Sequence, residues 1–310
     1  MAILMMNPLR GTPEVWTAAL AKALPGEEVR FFPDVGNTAD IDVFIVGIPT
    51  KLAELPPLPN LKMTVSLLAG VEGLLANPKL PKAPLVKVEP TGGDGMMTEY
   101  AVALVLYHHR NIPQYRLQQT RHEWKGLPPK RTADRTVGML GYGTLGKPMA
   151  EKIKSEGFNV AAWARTPKPD AGIEIFVGER GFAPFLARTE IAINMLPLTP
   201  DTRGILNAAA FAHMPKGAAV INLARGAHVV DKDLIAALDS GQLGAATLDV
   251  TEPEPLPADS PLWDHPGITI LPHVARRPLL IDTMPQIVEN MRRLRAGEPL
   301  ILLVDRTTGY

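Results

Sequence analysis

The feature that most constrains this chain lies near its middle. An apolar run, Thr136-Val137-Gly138-Met139-Leu140, passes straight into Gly141-Tyr142-Gly143-Thr144-Leu145-Gly146. A helical pattern follows to Glu156, and a second apolar run over 159–164 comes within about thirty residues of the glycines. A strand that turns on three glycines into a helix is the geometry of a pyrophosphate-binding βαβ unit. The first glycine permits the tight turn, the second lets backbone approach an anion, and the third lets helix pack close on strand. The glycine spacing alone is a weak signal, and the flanking strand and helix are what give it weight. A plain strand-to-helix turn is the alternative.

The same rhythm runs along most of the chain. Short apolar runs at 3–6, 43–46, 63–67, 136–140, 159–164, 191–195, 219–223, 244–250 and 269–271 predict strands, and helical patterns separate most of them. Thr12 opens a helix over 13–23. A longer helical pattern over 97–121 is kinked or broken at Pro113, and another runs from about 277 to 296. The proline-rich stretch 78–90 reads as an irregular connection, and the turn-rich 126–131 marks a boundary. Strands alternating with helices predict an α/β fold of doubly wound parallel sheets, and 310 residues suggest two domains.

Composition narrows the chemistry. Lys+Arg and Asp+Glu each total 32, so a general electrostatic grip on nucleic acid or anionic membrane is not expected. The chain has no cysteine, which removes disulfides, thiolate nucleophiles, thiolate zinc sites and iron–sulfur clusters; no metal is expected. The apolar opening 1–6 lacks a positive flank and reads as a buried strand, and no run reaches the ~18 apolar residues of a membrane span. A cytoplasmic protein is the expectation.

The end of the second strand of the βαβ unit bears on the cofactor. Dinucleotide folds that select NAD place an acid there to hold the ribose hydroxyls. Here the chain reads Trp163-Ala164-Arg165-Thr166-Pro167-Lys168, with Ala164 at that position. Arg165 can fork onto a 2′-phosphate, Thr166 can donate a hydroxyl, and Lys168 adds charge. NADP(H) is favoured, with NAD(H) possible; a solvated basic loop is the bland alternative.

Three later apolar runs each end on a polar residue: Arg225 in Asn222-Leu223-Ala224-Arg225-Gly226, Glu254 in the proline-rich loop after Asp249, and His273 after Pro272. In doubly wound sheets ligands sit beyond the carboxyl ends of strands. Reduction of a keto acid calls for such a set. A guanidinium grips the carboxylate and polarises the carbonyl, a histidine donates a proton, and a carboxylate orients the histidine. Singly, each has an ordinary reading as a salt-bridging, solvated or structural residue.

Together, in this order behind the glycine turn, they resemble the D-2-hydroxyacid dehydrogenase family over essentially the whole chain, and in particular its glyoxylate- and hydroxypyruvate-reducing branch. The motifs that carry the resemblance are residues 141–146, Leu196-Pro197-Leu198-Thr199, 222–226, 249–254, Pro272-His273, the run 223–230 and the ending 305–310. The resemblance implies a Rossmann-type cofactor domain, 98–276, inserted in a flavodoxin-like substrate domain, 1–97 with 277–310. It implies NADPH-dependent reduction of a small 2-keto acid, glyoxylate or hydroxypyruvate, by Arg225, Glu254 and His273. Gly141, Gly143, Thr144, Leu145, Gly146, Leu196, Pro197, Ala224 and Asp249 would line the cofactor, with Asp249 on the nicotinamide carboxamide. Ala69 and Gly70 would offer backbone N–H groups to the substrate carboxylate. Trp124 would stand near the substrate and a dimer interface, or else pack internally; a homodimer is implied. Arg276 and Arg277 depart from the usual small residues after the histidine. Two other readings stay open: a reductase of larger 2-keto acids, and a catalytically weak dinucleotide-sensing interaction protein.

Overall fold

The computed structural model describes residues 2–8, 12–68, 70–89, 95–168, 172–276 and 279–306. The chain divides into two compact units, Met1–Gly93 with Arg277–Tyr310, and Asp94–Arg276. Among the expected site positions, Ala69, Arg277 and the ending over 307–310 lie outside the described residues.

The first unit is built on five strands: β1 (Ala2–Met6), β2 (Glu28–Phe31), β3 (Ile41–Val46), β4 (Met63–Ser66) and β5 (Leu85–Lys87). They pair in parallel in the order β2-β1-β3-β4-β5, the flavodoxin-like arrangement. Every residue of β1 and β3 is buried, as a strand covered on both faces requires. Alternate side chains feed two cores. Ile3, Met5, Val43 and Val65 meet Trp16 and Leu20 of α1 (Pro13–Ala23) and Ile287 and Met291 of the last helix; Leu4, Met6, Phe44 and Val46 meet Leu74 of α2 (Glu72–Leu75) and Leu80. The last helix, Leu280–Ala296, thus belongs to the core of the unit that opens the chain.

The second unit carries seven parallel strands: β6 (Thr136–Leu140), β7 (Asn159–Ala164), β8 (Glu174–Val177), β9 (Ile191–Asn194), β10 (Ala218–Asn222), β11 (Leu243–Leu248) and β12 (Ile268–Ile270). Their order is β12-β11-β10-β9-β6-β7-β8. The helices are α3 (Met96–His109), α4 (Ile112–Thr120), α5 (Gly146–Ser155), α6 (Gly178–Arg188), α7 (Ala208–His213) and α8 (Asp231–Asp239), with Leu280–Ala296 as α9. The chain winds outward from β6 to β8, then restarts with β9 on the other flank of β6. That reversal makes the carboxyl ends of β6 and β9 the topological switch point, where doubly wound sheets bind ligands. The two doubly wound parallel sheets expected from the alternation of strands and helices are therefore the architecture found.

Three strands escape the sequence pattern, and all are sheet edges. Here β2 reads Glu-Val-Arg-Phe and β8 reads Glu-Ile-Phe-Val, neither fully buried, while β5 falls inside the stretch expected to be irregular. The partly exposed β2 and β8 lack a continuous apolar run, and β5 is only three residues long among prolines. The helix break also falls slightly earlier than Pro113. Asn111 turns the chain left-handed at φ 57°, and Pro113 sits in the first turn of α4, where its missing N–H costs nothing. Among the described residues no helix is long and apolar enough to cross a membrane.

Candidate active site

The glycine turn joins β6 to α5 at the switch point. Gly141 has φ +100°, and a Cβ there would lie 2.9 Å from the Met195 carbonyl oxygen. Only glycine lets the turn adopt this conformation and touch the loop after β9. A Cβ on Gly146, the first residue of α5, would fall 1.9 Å from the Gly141 carbonyl oxygen, so the third glycine is demanded by helix-on-turn packing. Gly143 differs: no protein atom lies within 4 Å of a Cβ built there. Packing within the chain does not explain it, and its exposed backbone, with that of Thr144, borders the start of α5, whose N-terminus no side chain caps. The exposed backbone of Gly143 and Thr144 beside a helix start that no side chain caps forms a cradle for a phosphate, with Lys147 N–H already taken by the Gly143 carbonyl, so these residues fit a dinucleotide.

Beyond β7 the buried Ala164 gives way to Arg165, Thr166 and Lys168, all solvent-exposed. The Trp163 indole N–H donates to the Gly178 carbonyl at 2.8 Å and fixes the base from which this turn leaves the sheet.

Two buried asparagines hold the next loops. Asn194 and Asn222 face each other at the ends of β9 and β10, and the Asn194 amide donates to Asn222 Oδ1 at 3.0 Å. Asn194 Oδ1 accepts the Leu196 N–H and Asn222 Oδ1 the Ala224 N–H, while the Asn222 amide donates to the Arg225 carbonyl at 2.9 Å. The chain leaving each strand is thereby steered by side chains. Leu196 and Ala224 are buried, Pro197 is exposed, and the Arg225 guanidinium is half-buried and donates to the Ala224 carbonyl at 2.7 Å.

His273 stands at φ 51°, a left-handed conformation unfavourable for a side chain with a Cβ. Asp249 compensates. Its carbonyl accepts the His273 N–H at 2.8 Å, and its buried carboxylate accepts the Val274 and Ala275 N–H groups at 2.9 and 3.0 Å and the Tyr100 hydroxyl at 2.8 Å. The His273 loop is thus wrapped around one carboxylate. Burial and the hydrogen bond to Asp249 push the Tyr100 phenol well above its ordinary range, so it remains a donor.

His273 Nδ1 lies 2.8 Å from Glu254 Oε2, and Glu254 Oε1 accepts the Thr251 N–H at 3.1 Å. Burial works to raise the Glu254 carboxyl, but the hydrogen bond and charge of His273, the Thr251 N–H and Arg225 outweigh it and hold the group below its ordinary value. An ionised Glu254 makes Nδ1 the protonated nitrogen facing it and turns Nε2 to the reaction. Gly226 explains how the Arg225 turn comes alongside: a Cβ there would lie 2.0 Å from the Thr251 carbonyl carbon, so the two backbones touch.

The second unit therefore brings together the glycine turn, Leu196, Pro197, Ala224, Arg225, Asp249, Glu254 and His273 on successive strand ends of one sheet. Gly70 belongs to the first unit, between β4 and α2. Trp124 is fully exposed, so it is not an internal packing residue, and Arg276 is partly exposed. Sequence reasoning missed Tyr100, Asn194 and His228. Of these, Asn194 and His228 carried a signal, each a polar residue in an apolar run, and His228 also lies in the run 223–230 that carries the family resemblance.

Comparison with known proteins adds a second line. Residues 102–275 match the family model described as D-isomer specific 2-hydroxyacid dehydrogenase, NAD binding domain. The chain is 42% identical over 316 residues to a glyoxylate/hydroxypyruvate reductase A from Serratia proteamaculans, with 100% of both chains covered. It superimposes on a D-isomer specific 2-hydroxyacid dehydrogenase from Xanthobacter autotrophicus Py2, in complex with NADPH and MES, with a TM-score of 0.87 and 39% identity over 100% of this chain and 99% of that one. An NADPH-dependent glyoxylate/hydroxypyruvate reductase from Sinorhizobium meliloti, in complex with NADP and sulfate, gives a TM-score of 0.86 at 36% identity with both chains fully covered.

Proposed function

Since this chain belongs to the D-isomer specific 2-hydroxyacid dehydrogenase family, we propose that it reduces glyoxylate or hydroxypyruvate to the 2-hydroxy acid with NADPH. The observation that carries the reading is the His273–Glu254 pair at 2.8 Å, on a loop wrapped around Asp249 and beside the turn of Arg225. Bound NADPH supplies the hydride. His273 Nε2 gives the proton to the carbonyl oxygen, while Nδ1 stays bonded to Glu254, whose negative charge stabilises the imidazolium before transfer. Arg225 pairs with the substrate carboxylate and polarises the carbonyl being reduced. Asp249 fixes the His273 loop and, by family resemblance, accepts from the nicotinamide carboxamide.

The cofactor preference rests on Arg165, Thr166 and Lys168, exposed where an acid would mark NAD, and is supported by the NADP-bound relatives. The partner of the assembled enzyme is a second copy of the chain; a tryptophan fully in water at position 124 supports an interface there. The cytoplasm is its compartment, in keeping with a cysteine-free chain and NADPH as reductant. The test is NADPH oxidation with hydroxypyruvate and glyoxylate beside NADH at matched concentrations. Fast turnover with NADPH and little with NADH is expected. Turnover with NADH alone would remove the role of Arg165, and none with either would remove the reaction.

A further inference from the structure

His228 is completely buried, ends the short helical turn Gly226–His228 that follows Arg225, and takes no part in the chemistry above. Both ring nitrogens face backbone carbonyl oxygens. Nδ1 lies 3.1 Å from that of Arg225, and Nε2 lies 3.3 Å from that of Pro197, thirty-one positions earlier on the loop after β9. The backbone reinforces the link, because the Gly204 and Leu206 N–H groups donate to the Ala227 and His228 carbonyls at 2.8 and 2.9 Å. On its other side the same turn is pressed through Gly226 against the Thr251 backbone, on the loop leading to Glu254. The Arg225 turn is therefore held between the loops of Pro197 and Glu254, and His228 is the side chain that makes the Pro197 contact.

We propose that His228 is a positioning residue for Arg225, fastening its turn to the Pro197 loop so that the guanidinium meets the substrate carboxylate from a fixed base. The inference rests on the reductase reading and adds a residue to it. A neutral imidazole has one N–H for two carbonyls, whereas an imidazolium has two. The Arg225 carbonyl already accepts from the Asn222 amide at 2.9 Å and the His228 N–H at 3.2 Å, so the single N–H of a neutral ring is best used on Pro197. The Pro197 carbonyl also receives the Thr202 hydroxyl at 2.7 Å and has a second lone pair for Nε2.

The charged groups facing the ring are Arg225 on its own turn and Arg203 on the segment after the Pro197 loop, the latter paired with Glu252 at 3.2 Å. Burial first, then these two cations, outweigh the two carbonyls and lower the ring's pKa. A carboxylate bound on Arg225 offsets part of that repulsion. Substrate binding and protonation of His228 are then reciprocally coupled, and binding is favoured at lower pH.

The test compares wild type with H228F, which keeps the ring and loses both nitrogens, and H228Q, which keeps one N–H donor. For H228F the KM for hydroxypyruvate rises about tenfold, as expected for one lost buried hydrogen bond, with kcat within about threefold of wild type. H228Q recovers part of the loss, and both variants lose the His228 component in the pH dependence of KM. A folded H228F with wild-type KM and pH profile overturns the proposal while leaving the reductase reading intact. Failure of wild type to reduce any 2-keto acid removes that reading, and this inference with it. Should H228F not fold, ring ¹⁵N NMR of the wild-type NADPH complex decides: adding oxamate, an unreactive 2-keto acid analogue, shifts the His228 resonances toward the imidazolium, and unmoved resonances overturn the proposal.

Discussion

At the end of β7 the chain leaves the sheet with Arg165, Thr166 and Lys168 in solvent, whereas at the end of β12 His273 is held by Glu254 and by a loop wrapped around the buried Asp249. Both turns hang from the carboxyl edge of one sheet, and both serve charged partners in the proposed reaction. The difference follows from how their interactions fall with distance. Attraction between a guanidinium and a phosphate declines as the inverse of separation, so a long, solvent-exposed side chain still finds its partner without being locked in place. Proton transfer needs hydrogen-bond distance and alignment, so its donor must be fixed before substrate arrives. A site of this kind can therefore be braced where it does chemistry and open to solvent where it chooses between cofactors.

The sharpest way to break the comparison is to cut one group from each side. His273→Ala lowers kcat by about a thousandfold, within the range for loss of a general acid, and leaves the NADPH dissociation constant nearly unchanged. Fluorescence titration of NADPH beside the steady-state assay checks both; weakened NADPH binding would mean the rigid loop also serves the cofactor. Next comes Gly226→Ala. The new Cβ would meet the Thr251 carbonyl carbon at 2.0 Å, backbone against backbone, so the Arg225 turn must move. A displacement of about 1 Å costs on the order of a hundredfold in kcat/KM. Circular dichroism melts then separate a folded, misplaced turn from global unfolding.

On the exposed side, Arg165→Ala raises the KM for NADPH about tenfold or more, the worth of a charge-assisted hydrogen bond, and leaves NADH kinetics and kcat unchanged. Equal losses for the two cofactors would show that Arg165 supports the fold rather than a 2′-phosphate.

The same contrast governs what the sequence discloses. The glycine turn and the positions of Arg225, Glu254 and His273 are legible because each lies in the loop that follows an apolar strand recognisable in the sequence, and strand period and turn chemistry are local properties. The braces are not. Tyr100 meets Asp249 across 149 positions, Asn194 meets Asn222 across 28, and His228 meets Pro197 across 31. A buried polar residue in an apolar stretch is an anomaly whose partner only the fold supplies. The edge strands β2 and β8 are obscured for the opposite reason: neither is fully buried, so the apolar run that betrays a central strand is missing, while β5 is only three residues long and sits in a proline-rich stretch.

The smallest effect concerns the pH dependence of stability, and it distinguishes the two regions by sign. Glu254 has its carboxyl held below the ordinary 4.5 by interactions present only in the fold, of which the His273 hydrogen bond is the largest that lowers it. A group whose folded pKa is depressed contributes stability fully above its unfolded pKa and loses it as pH falls through the folded value. The difference in melting temperature between wild type and Glu254→Gln is therefore expected to be level through the neutral range. It shrinks only as the pH drops below 4.5. The partly exposed carboxylate keeps the effect modest, because water screens it. Among the described residues Arg165 has no ion-pair partner, so the melting difference of Arg165→Ala is expected to stay flat across the same range. A matching acid-side decline in Arg165→Ala would place that arginine in a fixed ion pair and remove the contrast between the two turns.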